Sequence, residues 1–415
     1  MTPVDGGHRP LRIAFVYDAL YPHLKGGAER RYHEIGVRLA ERHDVHMVCW
    51  TFPEPDGGFE DEGDAARSSA LTLHGTGPAP SFYGADGRRR IGEAVAFARR
   101  LVPVLLRERF DVIDCSATPY IPVFACQLAA KLTGTPMVVT WHEFWGGYWR
   151  EYLDDRPLAA VMGQGLEAAC RPLGDVAVAV SPFTAERLEA AGRGPDVRVV
   201  ANGVSIAEID AAAPVGASDV LFVGRLIAEK KVDELLGAVA ILRAEHPAIC
   251  CDVVGDGPDR ARLESLAESL GITGNVTFHG RVDGAEVFGR MRSASVLVLP
   301  SVREGYGITV VEGMAAGVVP VVARGPLTAA SALVRDGVDG LVCDPVAASI
   351  AASIRELVAD PGRRARMREE ARRSAEERDW ARGAASMELI FQELVAARST
   401  KRAPRRIAKA ADGRA

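Results

Sequence analysis

Two glutamates, Glu304 and Glu312, flank a glycine-rich turn in the run Arg303-Glu304-Gly305-Tyr306-Gly307-Ile308-Thr309-Val310-Val311-Glu312-Gly313-Met314-Ala315-Ala316-Gly317. The apolar run Val296 to Pro300 leads straight into it, so the segment reads as a strand, a turn and the start of a helix. That geometry aims unpaired backbone N–H groups and the positive end of a helix dipole at one point, which makes an anion site. A carboxylate accepts two hydroxyl hydrogen bonds at once, so two of them beside an anion site suit a sugar phosphate better than a bare phosphate. A plain glycine turn with a surface glutamate is the other reading of this segment taken alone. A second element, Val223-Gly224-Arg225-Leu226-Ile227-Ala228-Glu229-Lys230, sets Arg225 and Lys230 on a loop that leaves another strand. Guanidinium and ammonium together can neutralise a diphosphate leaving group without a metal, whereas a merely exposed charged turn would do nothing. A third, Lys25-Gly26-Gly27-Ala28-Glu29-Arg30, is a glycine loop entering a helix, where amides without side chains can approach a phosphate closely.

Other chemistries are disfavoured by what the chain lacks. Tyr17 runs through seven residues before Lys25-Gly26-Gly27, so no tight G-x-G-x-x-G turn follows the first strand, and no G-K-[ST] exists. The absence of C-x-x-C, H-E-x-x-H and Asp-x-Asp leaves no signal for zinc or a magnesium-diphosphate site, so neither metal nor cofactor is expected. The formal net charge of -5 gives no reason to expect nucleic acid as a partner. The 7 cysteines are scattered in apolar contexts and read as buried thiols of a reducing compartment, and Met1 to Pro10 lacks the apolar core of a signal peptide. The uncharged stretch Cys115 to Ala130 falls short of the roughly 18 apolar residues that a spanning helix needs. A cytoplasmic protein is expected. The stripe Arg88-Arg89-Arg90 and Arg99-Arg100 is either a solvated face or a weak peripheral contact with an anionic leaflet.

These residues need elements to hold them. With 415 residues, 48 % of them hydrophobic, the chain is long enough for two domains with sizeable cores. Short β-branched runs at Leu11 to Tyr17, Val45 to Trp50, Asp111 to Asp114, Met137 to Trp141, Val176 to Ser181 and Val197 to Ala201 alternate with helical patterns. The pattern restarts at Val220 to Val223 and continues through Ile249 to Val254, Val276 to Phe278, Val296 to Leu299, Val318 to Val322 and Leu341 to Cys343. Alternation of this kind implies parallel sheets covered on both faces, hence α/β architecture with two Rossmann-like doubly wound domains and ligands at the carboxyl ends of the strands, in the cleft that the domains share. The expected division is a first domain over 11–205, a linker over 206–218, a second domain over 219–378, a C-terminal helix over 379–398 and a disordered basic tail over 399–415.

Taken in order, Gly26-Gly27, Asn202-Gly203-Val204, Gly224-Arg225-Leu226 with Lys230, Val254-Gly255-Asp256-Gly257-Pro258 and the Glu304 to Glu312 motif resemble the retaining nucleotide-sugar glycosyltransferases of family four, which have the GT-B fold. The resemblance spans about Leu11 to about Val395. It implies that Arg225 and Lys230 hold a donor diphosphate, that Glu312 binds the nucleotide ribose and Glu304 the donor sugar, and that Gly255, Gly305, Gly307, Ile308, Thr309 and Val310 line the donor. In similar enzymes a histidine at the place of His142 lies close to the transferred sugar, which makes Glu304, His142, Arg225 and Lys230 the expected catalytic set. The aromatic stretch Thr140-Trp141-His142-Glu143-Phe144-Trp145-Gly146-Gly147-Tyr148-Trp149 then becomes the acceptor side, with His142, Glu143 and Trp145 touching the acceptor, unless the rings simply seal the first domain. The C-terminal helix around Trp380 would cross back to the first domain. Two positions depart from the family pattern. Lys231 stands where a glycine usually follows the lysine, and Arg324-Gly325-Pro326-Leu327-Thr328 replaces a Gly-Gly-x-x-Glu segment, with Ala332 in the place of its glutamate. The expected function is transfer of a hexosyl unit from a UDP- or GDP-sugar to a lipid, saccharide or small-molecule acceptor. A GT-B-type epimerase and a non-catalytic sugar-nucleotide binding module are the alternatives.

Overall fold

The computed structural model describes residues 9–53, 67–82, 91–192 and 194–411. In the first half the β-branched runs form β1 (Arg12–Val16), β2 (Asp44–Thr51), β3 (Thr72–Pro78), β4 (Val112–Ser116), β5 (Met137–Trp141), β6 (Val176–Ala179) and β7 (Asp196–Val199). Around them lie α1 (Gly27–Ala40), α2 (Ile91–Glu108), α3 (Tyr120–Thr133), α4 (Trp149–Tyr152), α5 (Pro157–Cys170) and α6 (Pro182–Ala190). The second half holds β8 (Val220–Val223), β9 (Cys251–Val254), β10 (Val276–Gly280), β11 (Val296–Leu299), β12 (Arg303–Glu304), β13 (Val319–Ala323), β14 (Leu327–Thr328) and β15 (Leu341–Cys343). Its helices are α7 (Ile206–Ala211), α8 (Val232–Arg243), α9 (Arg260–Ser269), α10 (Gly284–Ser293), α11 (Ile308–Ala316), α12 (Ala347–Ala359), α13 (Pro361–Glu376) and α14 (Trp380–Ala411).

Two compact units result. The first takes the described residues up to Val180, Thr184–Val200 and those from Gly383; the second takes Ser181–Phe183 and Ala201–Arg382. Each contains a parallel sheet, seven-stranded in the order β3-β2-β1-β4-β5-β6-β7 and six-stranded in the order β10-β9-β8-β11-β13-β15. Every residue of β4, β5, β6, β11 and β13 is buried, which is why all of these but β4, with its Asp114 and Ser116, read as near-continuous apolar runs rather than alternating ones. Strand order reverses between β1 and β4 in one sheet and between β8 and β11 in the other. At such a reversal the crossovers leave to opposite faces and open a crevice beyond the carboxyl ends of the strands. The Gly26-Gly27 loop follows β1, the Arg225 and Lys230 loop follows β8, and the Glu304 turn follows β11. Each chemically suggestive loop therefore leaves its sheet at the reversal.

Several elements differ from the sequence expectation. The strand β3 has no apolar run, because it is the sheet edge, mostly exposed, and its Gly75, Gly77 and Pro78 read as turn residues. The presumed linker 206–218 begins with α7, whose Ser205 cap accepts a hydrogen bond from the Glu208 amide and whose Ile209 is fully buried. α14 runs on to Ala411, past the expected break at 398/399. Lys, Arg and Ala favour helix, and the Ser399 and Thr400 hydroxyls donate to the carbonyls of Val395 and Ala396 one turn back. Arg88, Arg89 and Arg90 lie outside the described residues. Arg99 and Arg100 are both exposed, and Arg100 also donates to the Thr76 carbonyl at 3.0 Å and lies 5.2 Å from the centre of the Trp50 ring. All seven cysteines are free thiols, Cys250 half-buried and the other six buried. Burial pushes Cys49 up to about 12 and Cys343 up to about 11.

The loop after β8 is packed backbone to backbone on the loop after β9. Leu226 N donates to Asp256 O at 3.0 Å and Asp259 N to Leu226 O at 3.1 Å. A Cβ on Gly255 would overlap the Gly224 carbonyl, in a backbone with φ +131, and one on Gly257 would overlap the Leu226 carbonyl. Arg225 is thus carried by a loop that only glycines opposite it allow. Gly257→Ala is expected to lower stability by about 1–3 kcal/mol, the usual cost of overpacking, read as a shift of the urea midpoint at unchanged slope.

Candidate functional site

In the second unit the hydrogen-bonded turn after β11 is built from both sides. β12 pairs with β14, Arg303 opposite Leu327 and Glu304 opposite Thr328, and Ala329 N donates to Glu304 O at 2.8 Å. The segment that departs from the family pattern is therefore the backbone support of Glu304. Gly307 takes φ +98 at the cap of α11 and lies so close to Ala330 that a Cβ would stand 2.8 Å from the alanine methyl. Ser181 Oγ donates to Gly305 O at 2.8 Å. Gly313, one turn before the end of the helix, lets α11 settle directly on Leu297 of β11.

Lys230 and Glu304 meet. Their side chains form an ion pair, 19 % and 13 % exposed, across 74 positions of sequence. Arg225 stands exposed at the tip of its loop, between Gly224 and the fully buried Leu226. Glu312 is buried in the second turn of α11. Ile308 and Thr309 are half-buried in the first turn, where helical amides have no intrahelical acceptor. Val310 differs: its side chain is fully buried and its amide is spent on the Gly307 carbonyl at 3.0 Å. An anion at this helix start would meet the amides of Ile308 and Thr309, not that of Val310. Gly255 contributes close backbone packing against Gly224.

In the first unit His142 follows β5 and packs its ring 6.3 Å from Tyr17 and 6.0 Å from Tyr32. Below it, Asp114 of β4 accepts from Thr140 Oγ1 at 2.8 Å and from the Tyr32 hydroxyl at 3.4 Å. Burial pushes this carboxyl up to about 7, against the lowering effect of the two hydroxyls and of Arg31. Burial, helped by the Arg31 charge, pushes His142 down to about 3, so its ring is neutral at working pH. The Gly26-Gly27 loop holds an acid of its own. The Glu29 carboxylate lies against Gly26, where a Cβ would overlap it, and accepts from the Tyr17 hydroxyl at 3.3 Å.

The aromatic stretch divides. Trp141 is fully buried and belongs to the core. Trp145 is half-buried, packs 4.6 Å from Trp149 and 4.8 Å from Tyr152, and donates its indole N–H to Glu143 at 2.7 Å. The loop that carries them is fixed by two residues absent from the sequence expectation. Glu167 of α5, 1 % exposed, accepts from Tyr120 at 2.7 Å and from the amides of Trp145 and Gly146 at 2.8 and 2.7 Å. Arg187 of α6 donates to the carbonyls of Phe144 and Trp145, both at 3.0 Å. Neither has a signal in the sequence, because a charged residue inside an amphipathic helix reads as a solvated face. Asp114 does have one, an acid within an otherwise apolar strand run.

The unfolded chain protonates His142 near 6.5 and the native one only near 3, so stability is lost as pH falls through about 6.5. His142→Phe is expected to lose less stability between pH 7 and pH 5 than the parent, measured by urea denaturation at both pH values. A variant as acid-sensitive as the parent would contradict a neutral ring.

Comparison with known proteins adds the family. The family model described as Glycosyltransferase Family 4 matches residues 25–208, and the one described as Glycosyl transferases group 1 matches residues 208–374. A D-inositol 3-phosphate glycosyltransferase of Salinispora tropica is 37 % identical over 196 residues, 44 % of this chain. The matched stretch spans 39 % of that relative, and matches to a second D-inositol 3-phosphate glycosyltransferase and to a lipopolysaccharide core biosynthesis glycosyltransferase span 42 % and 57 % of theirs. Among solved structures, the sucrose-phosphate synthase of Thermosynechococcus elongatus superposes with TM-score 0.76 at 19 % identity over 93 % of this chain and 100 % of its own. Anabaena HepE in complex with UDP and glucose does so with TM-score 0.71 at 18 % identity, over 92 % of this chain and 100 % of its own. The two parallel-sheet units are those of the GT-B fold, and the chain belongs to glycosyltransferase family four.

Proposed function

We propose that this chain is a retaining glycosyltransferase that moves a hexosyl unit from a nucleoside-diphosphate sugar to an acceptor hydroxyl, with the donor held by the second unit and the acceptor by the first. The observation that carries the donor assignment is the meeting of Lys230 and Glu304 at the strand-order reversal of the second sheet, beside Arg225 and the start of α11. As the anomeric carbon–oxygen bond breaks, negative charge grows on the leaving diphosphate. Lys230, Arg225 and the amides of Ile308 and Thr309 are the groups positioned to receive it. Glu304, on the turn, faces the sugar and can stabilise positive charge at the anomeric carbon, while Glu312, on the helix, takes the ribose hydroxyls. The HepE neighbour, solved with UDP and glucose, makes UDP the first nucleotide to test, with GDP the alternative. On the acceptor side, neutral His142 lies at the strand end and Trp145 and Glu143 on the Glu167-anchored loop. The acceptor relatives named for inositol 3-phosphate and for lipopolysaccharide core support a hydroxyl of a polyol or saccharide.

The assignment is tested by a panel of UDP- and GDP-sugars in thermal shift, where a ligand at about 100 times its Kd adds about 2.7 kcal/mol. Stabilisation by none of them overturns it. Arg225→Ala and Lys230→Ala are each expected to lower kcat by an amount on the order of 3 kcal/mol in barrier while the chain stays folded, and near-normal turnover would remove the residue from the reaction.

The two glutamates separate by role. Glu312→Gln is expected to weaken free nucleotide and nucleotide-sugar alike in calorimetric titration. Glu304→Gln releases Lys230 from its partner, so free nucleotide should bind no worse while turnover of the sugar donor falls. Equal losses of nucleotide affinity in both variants would show the roles to be misassigned.

A further inference from the structure

The two loops that bring Lys230 to Glu304 carry a second pair of charges, one position earlier on each. Glu229 precedes Lys230 and Arg303 precedes Glu304. Arg303 Nη2 lies 3.4 Å from Glu229 Oε1, with the two side chains 15 % and 16 % exposed, and Val302 N donates to Glu229 O at 3.0 Å. The loops thus face each other in one order, Glu229 with Arg303 and Lys230 with Glu304. Along the first loop the charges run minus, plus; along the second they run plus, minus. A slip of one residue in either direction would set Glu229 against Glu304 or Lys230 against Arg303, a like-charge contact between groups that are mostly out of water. Such contacts are costly, so only one register satisfies both pairs.

We propose that Glu229 and Arg303 are positioning residues whose charge order locks the register of the donor loops, holding Lys230 and Glu304 at the spacing that the donor requires. The inference rests on the donor reading above. Neither residue needs to touch the nucleotide sugar. Arg303 is also the first residue of β12, so the lock passes through the β12–β14 ladder to the segment around Thr328. The second unit therefore aligns its two cationic and acidic donor groups by side-chain charge where the short β12–β14 ladder alone, two residues long, specifies little.

The test is charge reversal in the full chain, with UDP and GDP as probes in calorimetric titration and Tm as the control. Glu229→Arg and Arg303→Glu, each placing like charges together, are expected to weaken nucleotide binding about tenfold or more, since a displacement of about 1 Å in a positioned group costs on the order of a hundredfold in rate. The exchanged double variant, Glu229→Arg with Arg303→Glu, restores an ion pair and so should regain the parent Tm. It makes one loop all positive and the other all negative, however, so the register is no longer specified and nucleotide affinity should remain impaired. A purely structural tether would recover both together. Should either reversal fail to fold, Glu229→Gln and Arg303→Gln replace them, and a smaller loss of affinity at unchanged Tm is the supporting result. Parent-like affinity in the single variants, or full recovery of affinity in the exchanged double, overturns the register lock. A parent protein that binds neither UDP nor GDP overturns the donor reading itself, and the lock with it.

Discussion

The Lys230–Glu304 ion pair joins the two loops that leave the second sheet where its strand order reverses, and most of what surrounds it exists to make that meeting possible. Two mostly buried ions give up hydration when they pair, so the contact forms only if the backbone on both sides is already placed. On the lysine side, placement comes from the Gly224 to Leu226 loop lying directly on Gly255 and Gly257. On the glutamate side it comes from the β12–β14 ladder and from Gly307, which turns the chain into α11 within contact of Ala330. Glycine is needed on both sides, at Gly255 and Gly257 because backbone approaches backbone more closely than a Cβ allows, and at Gly307 because the turn takes a positive φ against the Ala330 methyl.

The first unit solves its positioning problem differently, with buried polar side chains. Asp114 collects the hydroxyls of Thr140 and Tyr32, and Tyr32 in turn packs against His142. Glu167 and Arg187 grip the aromatic loop from its amides and its carbonyls respectively. A loop held at both kinds of backbone group cannot rotate its peptides freely, so Trp145 and Glu143 inherit a fixed orientation from residues in two separate helices. Polar networks of this kind rigidify a site, and losing one partner leaves a buried polar group with its full desolvation cost.

The strands were legible in sequence to within a residue or two because parallel sheets bury both faces, and Val296 to Leu299 or Met137 to Trp141 can hardly be anything else. The edge strand β3 was not, since a strand with one open side needs no apolar run. Among the site residues, those on glycine turns were legible because glycine spacing carries the turn geometry. The contact of Lys230 with Glu304 was not, because the two lie 74 positions apart and both were assigned to the donor rather than to each other. Val310 differs from Ile308 and Thr309 for a local reason: a helix start offers free amides only until the first turn closes, and here it closes at Val310 onto Gly307. Glu167 and Arg187 show the general limit. A helical charge that faces inward looks the same in sequence as one that faces water.

The sealed thiols have a use beyond packing. Four of them, Cys49, Cys115, Cys126 and Cys170, lie in the first unit and two, Cys251 and Cys343, in the second, while Cys250 alone is half-buried. Only a thiolate reacts with an alkylating reagent, and a thiol whose ionisation is suppressed by burial stays inert until the structure around it opens. The chain therefore carries its own set of unlabelled reporters: Cys250 reads the intact surface, and each buried group reads the opening of the unit that encloses it, so that one alkylation time course followed by mass distinguishes which half of the molecule comes apart first.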